Sequence, residues 1–222
     1  MSQLTKQEVT EIAIENQARA VIYEFLSSLF AKELDESLIN QLASVQGREF
    51  LSSVALEPTL AASINTIVNK LMALNTEQAR LELAADFCGL FLIDSKTCAS
   101  PYAGQYIKDD LSKVDTGENI KKSDRALVFG ELHQLMMTYL EKSNIQISSD
   151  FPEPADHIAV ILAYLAHLSL HASHVNQVNF INVYVLSWLG DFTEQVKLHD
   201  PSGFYTAVAE LTLQWVTLDI EQ

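Results

Sequence analysis

The sequence is poor in positive charge. Among its 222 residues, 14 are Lys or Arg and 29 are Asp or Glu, which gives a formal net charge of −15. Nucleic acids and anionic membrane surfaces are therefore not expected partners, because binding to either needs clustered Lys and Arg. Residues 143–222 are especially acidic, with Lys197 as their single base against nine acids. This charge favours cationic peptides or proteins as partners.

Cysteine is also scarce. Cys88 and Cys98 are the only two, so neither a disulfide framework nor a cysteine-rich zinc site is predicted. The first 15 residues are polar and lack the apolar segment of a secretory signal, which favours a cytoplasmic protein. Stable membrane insertion is not expected, because the apolar blocks 158–170 and 180–189 are shorter than the roughly 20 residues of a spanning helix.

Common catalytic and cofactor-binding motifs are missing. The sequence contains no phosphate-binding loop, no dinucleotide fingerprint and no nucleophile elbow, so we expect no catalytic residue and no bound cofactor. His167, His171 and His174 follow one another at helical spacing, which leaves a metal-binding helical protein or small enzyme as the alternative function. No Cys or carboxylate lies near them in sequence, and we therefore predict no metal site.

The residue pattern is helical nearly throughout. Only 7 Gly and 5 Pro interrupt it, and no alternating strand pattern occurs, so the predicted fold class is all-α. In the first helix, which should run from a Thr5–Glu8 capping box to about Ala31, we expect Ile12, Tyr23, Leu26, Leu29 and Phe30 to be buried. Asp35 caps a predicted short helix that carries Leu38, Leu42 and Val45. Pro58 begins another, and Thr76 caps one that ends near Leu92. Four further helices are predicted at 124–142, 154–173, 177–198 and 202–219.

The predicted helices divide into two packed subdomains. Residues 1–142 form the N-terminal subdomain, residues 154–222 form the C-terminal one, and residues 143–153 form a short hinge. A short connection of this kind permits domain swapping, in which one subdomain docks on a second chain. The sequence therefore allows a monomer, a swapped homodimer, or both.

An acidic motif precedes the most apolar part of the chain. Residues 158–190 contain no charged side chain, and the five residues before them are Glu153-Pro154-Ala155-Asp156-His157. Pro154 suits the first position of a helix, and the helix dipole would keep Asp156 ionised in the first turn. A carboxylate and an imidazole at the rim of an apolar region suit a ligand with a cationic part and an apolar part.

Earlier in the chain, aromatic side chains are concentrated in one predicted helix and in the loop after it. Phe87, Leu90 and Phe91 lie on one apolar helix, and Tyr102 and Tyr106 lie in the loop. The helical residues fit either the core or the wall of a groove. The tyrosines favour a groove, because a loop rich in aromatic and small residues can line one.

Taken together, these motifs resemble the TorD/DmsD family of cytoplasmic chaperones for twin-arginine-exported molybdoenzymes, and most closely its TorD branch. Residues 153–157 are similar to the E-P-x-D-H motif of the family. The segment 81–91, continued by Pro101, Tyr102 and Tyr106, and the segment 204–215 are similar to two further family motifs. The resemblance covers nearly the whole chain.

The resemblance implies a function without catalysis. Members bind the twin-arginine signal peptide and the apo form of a molybdoenzyme, here trimethylamine N-oxide reductase, and they aid molybdopterin cofactor insertion before export. Weak GTP binding is implied by the resemblance alone. The resemblance implies that Asp156, His157, Phe87, Leu90 and Phe91 bind the peptide. From their chemistry we also expect Glu153, Tyr102 and Tyr106 to take part.

Overall fold

The computed structural model describes residues 6–93, 97–107 and 130–221. Within these ranges the chain forms ten α-helices, one π-helical turn at Cys88–Leu92 and one 3-10 turn at Ala103–Gln105, with no β-strand. The all-α prediction is confirmed. The helices are α1 (Lys6–Ala31), α2 (Glu36–Ala43), α3 (Val45–Val54), α4 (Pro58–Ala73), α5 (Glu77–Phe87), α6 (Glu131–Lys142), α7 (Ile158–His171), α8 (His174–Tyr184), α9 (Leu186–His199) and α10 (Phe204–Asp219).

Three helix starts lie where the sequence predicts them. The Asp35 side chain accepts a hydrogen bond from the Leu38 amide at the start of α2, and Thr76 caps α5 in the same way. Pro58 occupies the first position of α4, where its missing N–H costs nothing. Thr5, the capping residue of the predicted Thr5–Glu8 box, and the predicted start of a helix at residue 124 lie outside the described residues.

Two helices differ from their predictions. Helix α3 was not predicted, and Val45 begins it as an exposed residue instead of belonging to the buried face of α2. The predicted helix 177–198 is two helices, because the backbone of Val185 bends away from helical geometry with a φ of −116°. The predicted helix that ends near Leu92 continues past α5 as the π-helical turn.

The core joins elements from both halves of the chain. Helix α1 packs along α7, and α10 packs on α4 and α9. Tyr23, Leu26, Leu29 and Phe30 of α1 are buried as predicted, but Ile12 is 43% exposed because the first turns of α1 extend beyond the core. The residues between α6 and α7 form no helix. The division into two subdomains with a hinge at 143–153 stays a prediction, as does domain swapping.

A buried ion pair links the two ends of the chain. The carboxylate of Asp219, the last residue of α10, binds the guanidinium of Arg19 in α1. The same carboxylate accepts hydrogen bonds from the Tyr23 hydroxyl at 2.7 Å and the Gln177 amide at 3.0 Å. Because Asp219 is fully buried, this pairing keeps a charge stable away from water.

No helix among the described residues is both long and apolar enough to cross a membrane.

Removal of the Asp219 carboxylate should destabilise the fold strongly. Asp219→Ala leaves the Arg19 charge buried without its partner, so we expect the free energy of unfolding in urea to fall by about 3–5 kcal/mol. Glu210→Ala, on the same helix, removes the exposed partner of Lys197 and should cost less than about 1 kcal/mol. Equal losses for the two variants would contradict the assigned role of the buried pair.

Candidate functional site

The acidic motif lies just before α7 and not inside it. Helix α7 begins at Ile158, and the His157 side chain caps it by accepting a hydrogen bond from the Ala159 amide at 3.1 Å. The prediction that Pro154 opens the helix is therefore wrong. The chain turns at this point instead, since the His157 amide donates to the Pro154 carbonyl. Asp156 consequently precedes the helix cap rather than occupying the first turn.

Backbone hydrogen bonds join this motif to the loop after the π-helical turn. The Ile158 amide donates to the Pro101 carbonyl at 2.9 Å, and the Ala103 amide donates to the Asp156 carbonyl at 3.0 Å. Tyr102 and His157 face each other across this antiparallel bridge. Two segments that are more than 50 residues apart in sequence are thus fixed side by side.

Asp156 is buried, with only 2% of its surface exposed. One carboxylate oxygen, Oδ2, accepts a hydrogen bond from the Gly104 amide at 3.2 Å. The other, Oδ1, has no hydrogen-bond partner among the described residues. Burial raises the pKa of Asp156, and the Gly104 hydrogen bond opposes that rise. The expectation of a carboxylate at the rim is therefore wrong, because the loop that contains Gly104 covers Asp156.

Gly104 is needed for this close approach. A Cβ atom added at Gly104 would lie 3.0 Å from Oδ2 of Asp156, which is tighter than ordinary van der Waals contact. A side chain at this position would push the carboxylate away from the amide that binds it.

His133 in α6 belongs to the site, although no sequence motif predicted it. Its Nδ1 accepts a hydrogen bond from the Ala155 amide at 2.9 Å and lies 3.9 Å from Oδ1 of Asp156. The residue is 22 positions upstream of Ala155, and a single histidine at that separation carries no motif. Only the folded chain brings the imidazole to the carboxylate.

Glu153 and Tyr102 form the more accessible part of the site. Both side chains are half-buried, and the Tyr102 hydroxyl donates to a Glu153 carboxylate oxygen at 2.7 Å. Burial, and then the neighbouring carboxylate, raise the pKa of the Tyr102 hydroxyl above its ordinary value of 10.0. The phenol therefore stays protonated and holds the Glu153 carboxylate through this hydrogen bond.

The His157 ring is packed between aromatic side chains. Its centroid lies 5.5 Å from that of Tyr102 and 5.3 Å from that of Phe151, both in edge-on geometry. Burial lowers the pKa of His157 to about 4. The imidazole is consequently neutral near pH 7 and acts as a helix cap.

The predicted aromatic groove is mostly core. Phe87, Leu90 and Phe91 are almost completely buried, and Phe91 contacts the rings of Phe30, Phe192 and Tyr205. These three residues do not line an open surface in this conformation, because α1, α9 and α10 cover them. Their part in peptide binding stays a prediction that requires the helices to move.

Tyr106 keeps a partly exposed position in the loop. Its ring stacks on Trp188 and meets Phe192 edge-on. Its hydroxyl donates to the Ser100 carbonyl at 2.8 Å. The loop is therefore anchored to α9 beside the motif.

An apolar cavity that was not predicted lies beneath the segment between α6 and α7. Its volume is about 210 Å³. Phe151 lines it and also touches the ring of His157, so the cavity is adjacent to the acidic motif. The apolar residues that line it include Ala31, Leu140, Ile145, Ile147, Phe151, Ala159, Val160 and Ala163.

Comparison with known proteins identifies the family. Residues 53–194 match the family model described as nitrate reductase delta subunit. Chaperone protein TorD of Colwellia psychrerythraea strain 34H is 51% identical over 231 aligned residues, which cover 100% of this chain and 98% of that protein. The chain belongs to the TorD/DmsD family.

Other TorD/DmsD members give the same result. Chaperone protein TorD of Shewanella piezotolerans is 46% identical over 93% of this chain and 92% of its own length. Chaperone protein TorD of Shewanella pealeana is 45% identical over 96% of this chain and 93% of its own length. These relatives are named as chaperones, so the chain belongs to a non-enzymatic family of redox-enzyme maturation chaperones.

The histidines of the alternative hypothesis do not converge in this TorD/DmsD member. The rings of His167 and His171 lie 4.4 Å apart, whereas His174 contacts the backbone carbonyl of Asp219. Over the described part of the chain, no group of three or more His, Cys, Asp or Glu side chains could hold a metal ion. The geometry thus gives the metal-binding alternative no support.

Acid should destabilise the fold through His157. Its pKa is about 4 in the folded protein and 6.5 ordinarily, so the unfolded chain binds more protons between these values. The stabilisation that neutral His157 contributes to the fold is complete above pH 6.5. It is lost as the pH falls toward 4, and the free energy of unfolding then falls by about 3 kcal/mol. We expect unfolding titrations to show this loss in wild type and not in His157→Asn, which keeps a capping side chain.

The quantity to compare is the difference in unfolding free energy between wild type and His157→Asn at each pH. Asp156 titrates in the opposite sense, because its pKa is raised by burial. Parallel stability curves for wild type and His157→Asn between pH 6.5 and 4 would contradict a buried neutral imidazole.

Proposed function

We propose that this protein is a chaperone that binds the twin-arginine signal peptide and the apo form of a molybdoenzyme before export. The proposed client is trimethylamine N-oxide reductase, and the proposed outcome is a precursor kept competent for molybdopterin cofactor insertion in the cytoplasm. The names of the relatives, all chaperone protein TorD, support the chaperone part. No cofactor of its own enters the proposal.

The observation that carries the signal-peptide part is Oδ1 of Asp156, which has no hydrogen-bond partner within the part of the chain that the structure describes. A buried carboxylate oxygen without a hydrogen bond is costly. A guanidinium supplies donors in a planar fork that matches a carboxylate. Arginine entering beside Glu153 would satisfy Oδ1 of Asp156 and offset the charge that burial disfavours.

Long-range charge supports the same partner. The chain carries a net charge of −15, and its region 143–222 holds nine acids and one base. A net negative charge of this size accelerates the encounter with a basic peptide and disfavours acidic competitors.

The apolar cavity offers a place for the segment that follows the arginines. A cavity of roughly 150 Å³ lined by apolar side chains can hold a benzene ring, so the 210 Å³ cavity can accept one large apolar side chain. Phe151 lines the cavity and contacts the ring of His157 in the acidic motif. A peptide with arginines followed by apolar residues could therefore contact both.

Calorimetric titration with a synthetic twin-arginine signal peptide tests the proposal. We expect binding that weakens about tenfold for the twin-lysine variant, because an ammonium cannot pair with a carboxylate through two parallel hydrogen bonds. Binding to neither peptide, or equal binding to both, would contradict recognition of the arginine pair.

Filling the cavity should affect only the apolar part of the peptide. Ala163 lines the cavity and is exposed, so Ala163→Phe can occupy it without disturbing the core. We expect about tenfold weaker binding of the full signal peptide, which corresponds to the lost burial of one apolar side chain. A peptide truncated after the arginines should bind equally to variant and wild type.

The matched control is Ala62→Phe, at an exposed position of α4 that does not line the cavity. It should leave both titrations unchanged. Equal effects of the two phenylalanines, or none from Ala163→Phe, would place the apolar segment elsewhere.

A further inference from the structure

His133 reaches the acidic motif from α6 and binds its backbone. Its Nδ1 accepts a hydrogen bond from the Ala155 amide at 2.9 Å. Because that nitrogen acts as an acceptor, the neutral ring carries its proton on Nε2. Buried Leu132 and Met136 on either side of it along α6 hold the helix against the core and so fix the position of the ring.

The same nitrogen is close to the Asp156 carboxylate without binding it. Nδ1 lies 3.9 Å from Oδ1, which is beyond hydrogen-bond distance, and the side chains are 16% and 3% exposed. Oδ2 of that carboxylate is already bound by the Gly104 amide. If the imidazole donated to Oδ1, it would occupy an acceptor position on the oxygen that has no hydrogen-bond partner among the described residues.

We propose that His133 is a positioning residue for the cation-binding carboxylate. By accepting from Ala155, it holds the backbone before Asp156 and leaves Oδ1 available for a guanidinium N–H. The inference rests on the proposed function, since it assigns the arginine of the signal peptide to Oδ1. His133 itself does not contact the peptide and acts through Asp156.

Three substitutions separate this role from simple packing. In His133→Asn the side-chain oxygen can take the place of Nδ1, because both atoms are bonded to Cγ. In His133→Gln the oxygen lies one bond further out, and His133→Ala has no acceptor. We expect Asn to retain twin-arginine peptide affinity within about threefold, and Gln and Ala to lose about tenfold.

The affinity ratio between twin-arginine and twin-lysine peptides gives a second readout. A displaced carboxylate no longer presents Oδ1 to a guanidinium N–H, so the ratio should fall in His133→Gln and His133→Ala and persist in His133→Asn. A packing role would change both affinities together. Equal behaviour of the three variants, or loss in Asn as large as in Ala, would overturn the inference.

The tautomer can be measured in the wild-type protein without any variant. Nitrogen-15 NMR of the imidazole should show a proton on Nε2 and none on Nδ1, and a proton on Nδ1 would overturn the inference even if Gln and Ala fail to fold. Wild-type protein that binds neither peptide would instead refute the proposed function, and with it the inference. If wild type prefers the twin-arginine peptide and the three His133 variants bind both peptides as wild type does, the inference is refuted and the proposed function stands.

Discussion

The burial of α7 is the constraint on which the rest of the structure depends. This helix carries no charged side chain, and most of its residues are buried, so it must be covered on nearly every face. Helix α1 runs along it, and the segment between α6 and α7 covers part of it while leaving the apolar cavity. The entrance of α7 is covered too, by the loop that contains Tyr102 and Gly104. The acidic motif is therefore buried because the helix that it precedes is buried.

This arrangement leaves one buried carboxylate with a hydrogen-bonding requirement that the described residues do not meet. Asp156 receives one backbone hydrogen bond and keeps one oxygen without a partner among the described residues. The buried carboxylate of Asp219 differs, since Arg19, Tyr23 and Gln177 satisfy it within the chain. One buried acid thus stabilises the fold, whereas the other retains an unmet requirement for a donor. A ligand cation can meet that requirement, and its binding energy is larger where water is excluded.

Local sequence predicted most of the helices and located the motif, but not the surroundings of the motif. The caps at Asp35 and Thr76 depend on residues within three positions, and so they could be read directly. Asp156 seemed exposed because its cover comes from Gly104, which is 52 positions away. His133 could not be found for the same reason. The burial of Phe91 likewise depends on distant partners, since Phe192 and Tyr205 lie about a hundred positions further along the chain.

The central claim is that Asp156 pairs with an arginine of the signal peptide. One double-mutant cycle for each peptide arginine measures this pairing directly. Each cycle combines Asp156→Asn on the protein with replacement of that arginine by glutamine, and its four affinities are determined by calorimetry. For one arginine we expect a coupling free energy of at least about 1.5 kcal/mol, as found for close charge pairs at interfaces. Effects that are additive within about 0.5 kcal/mol for both arginines would contradict the claim.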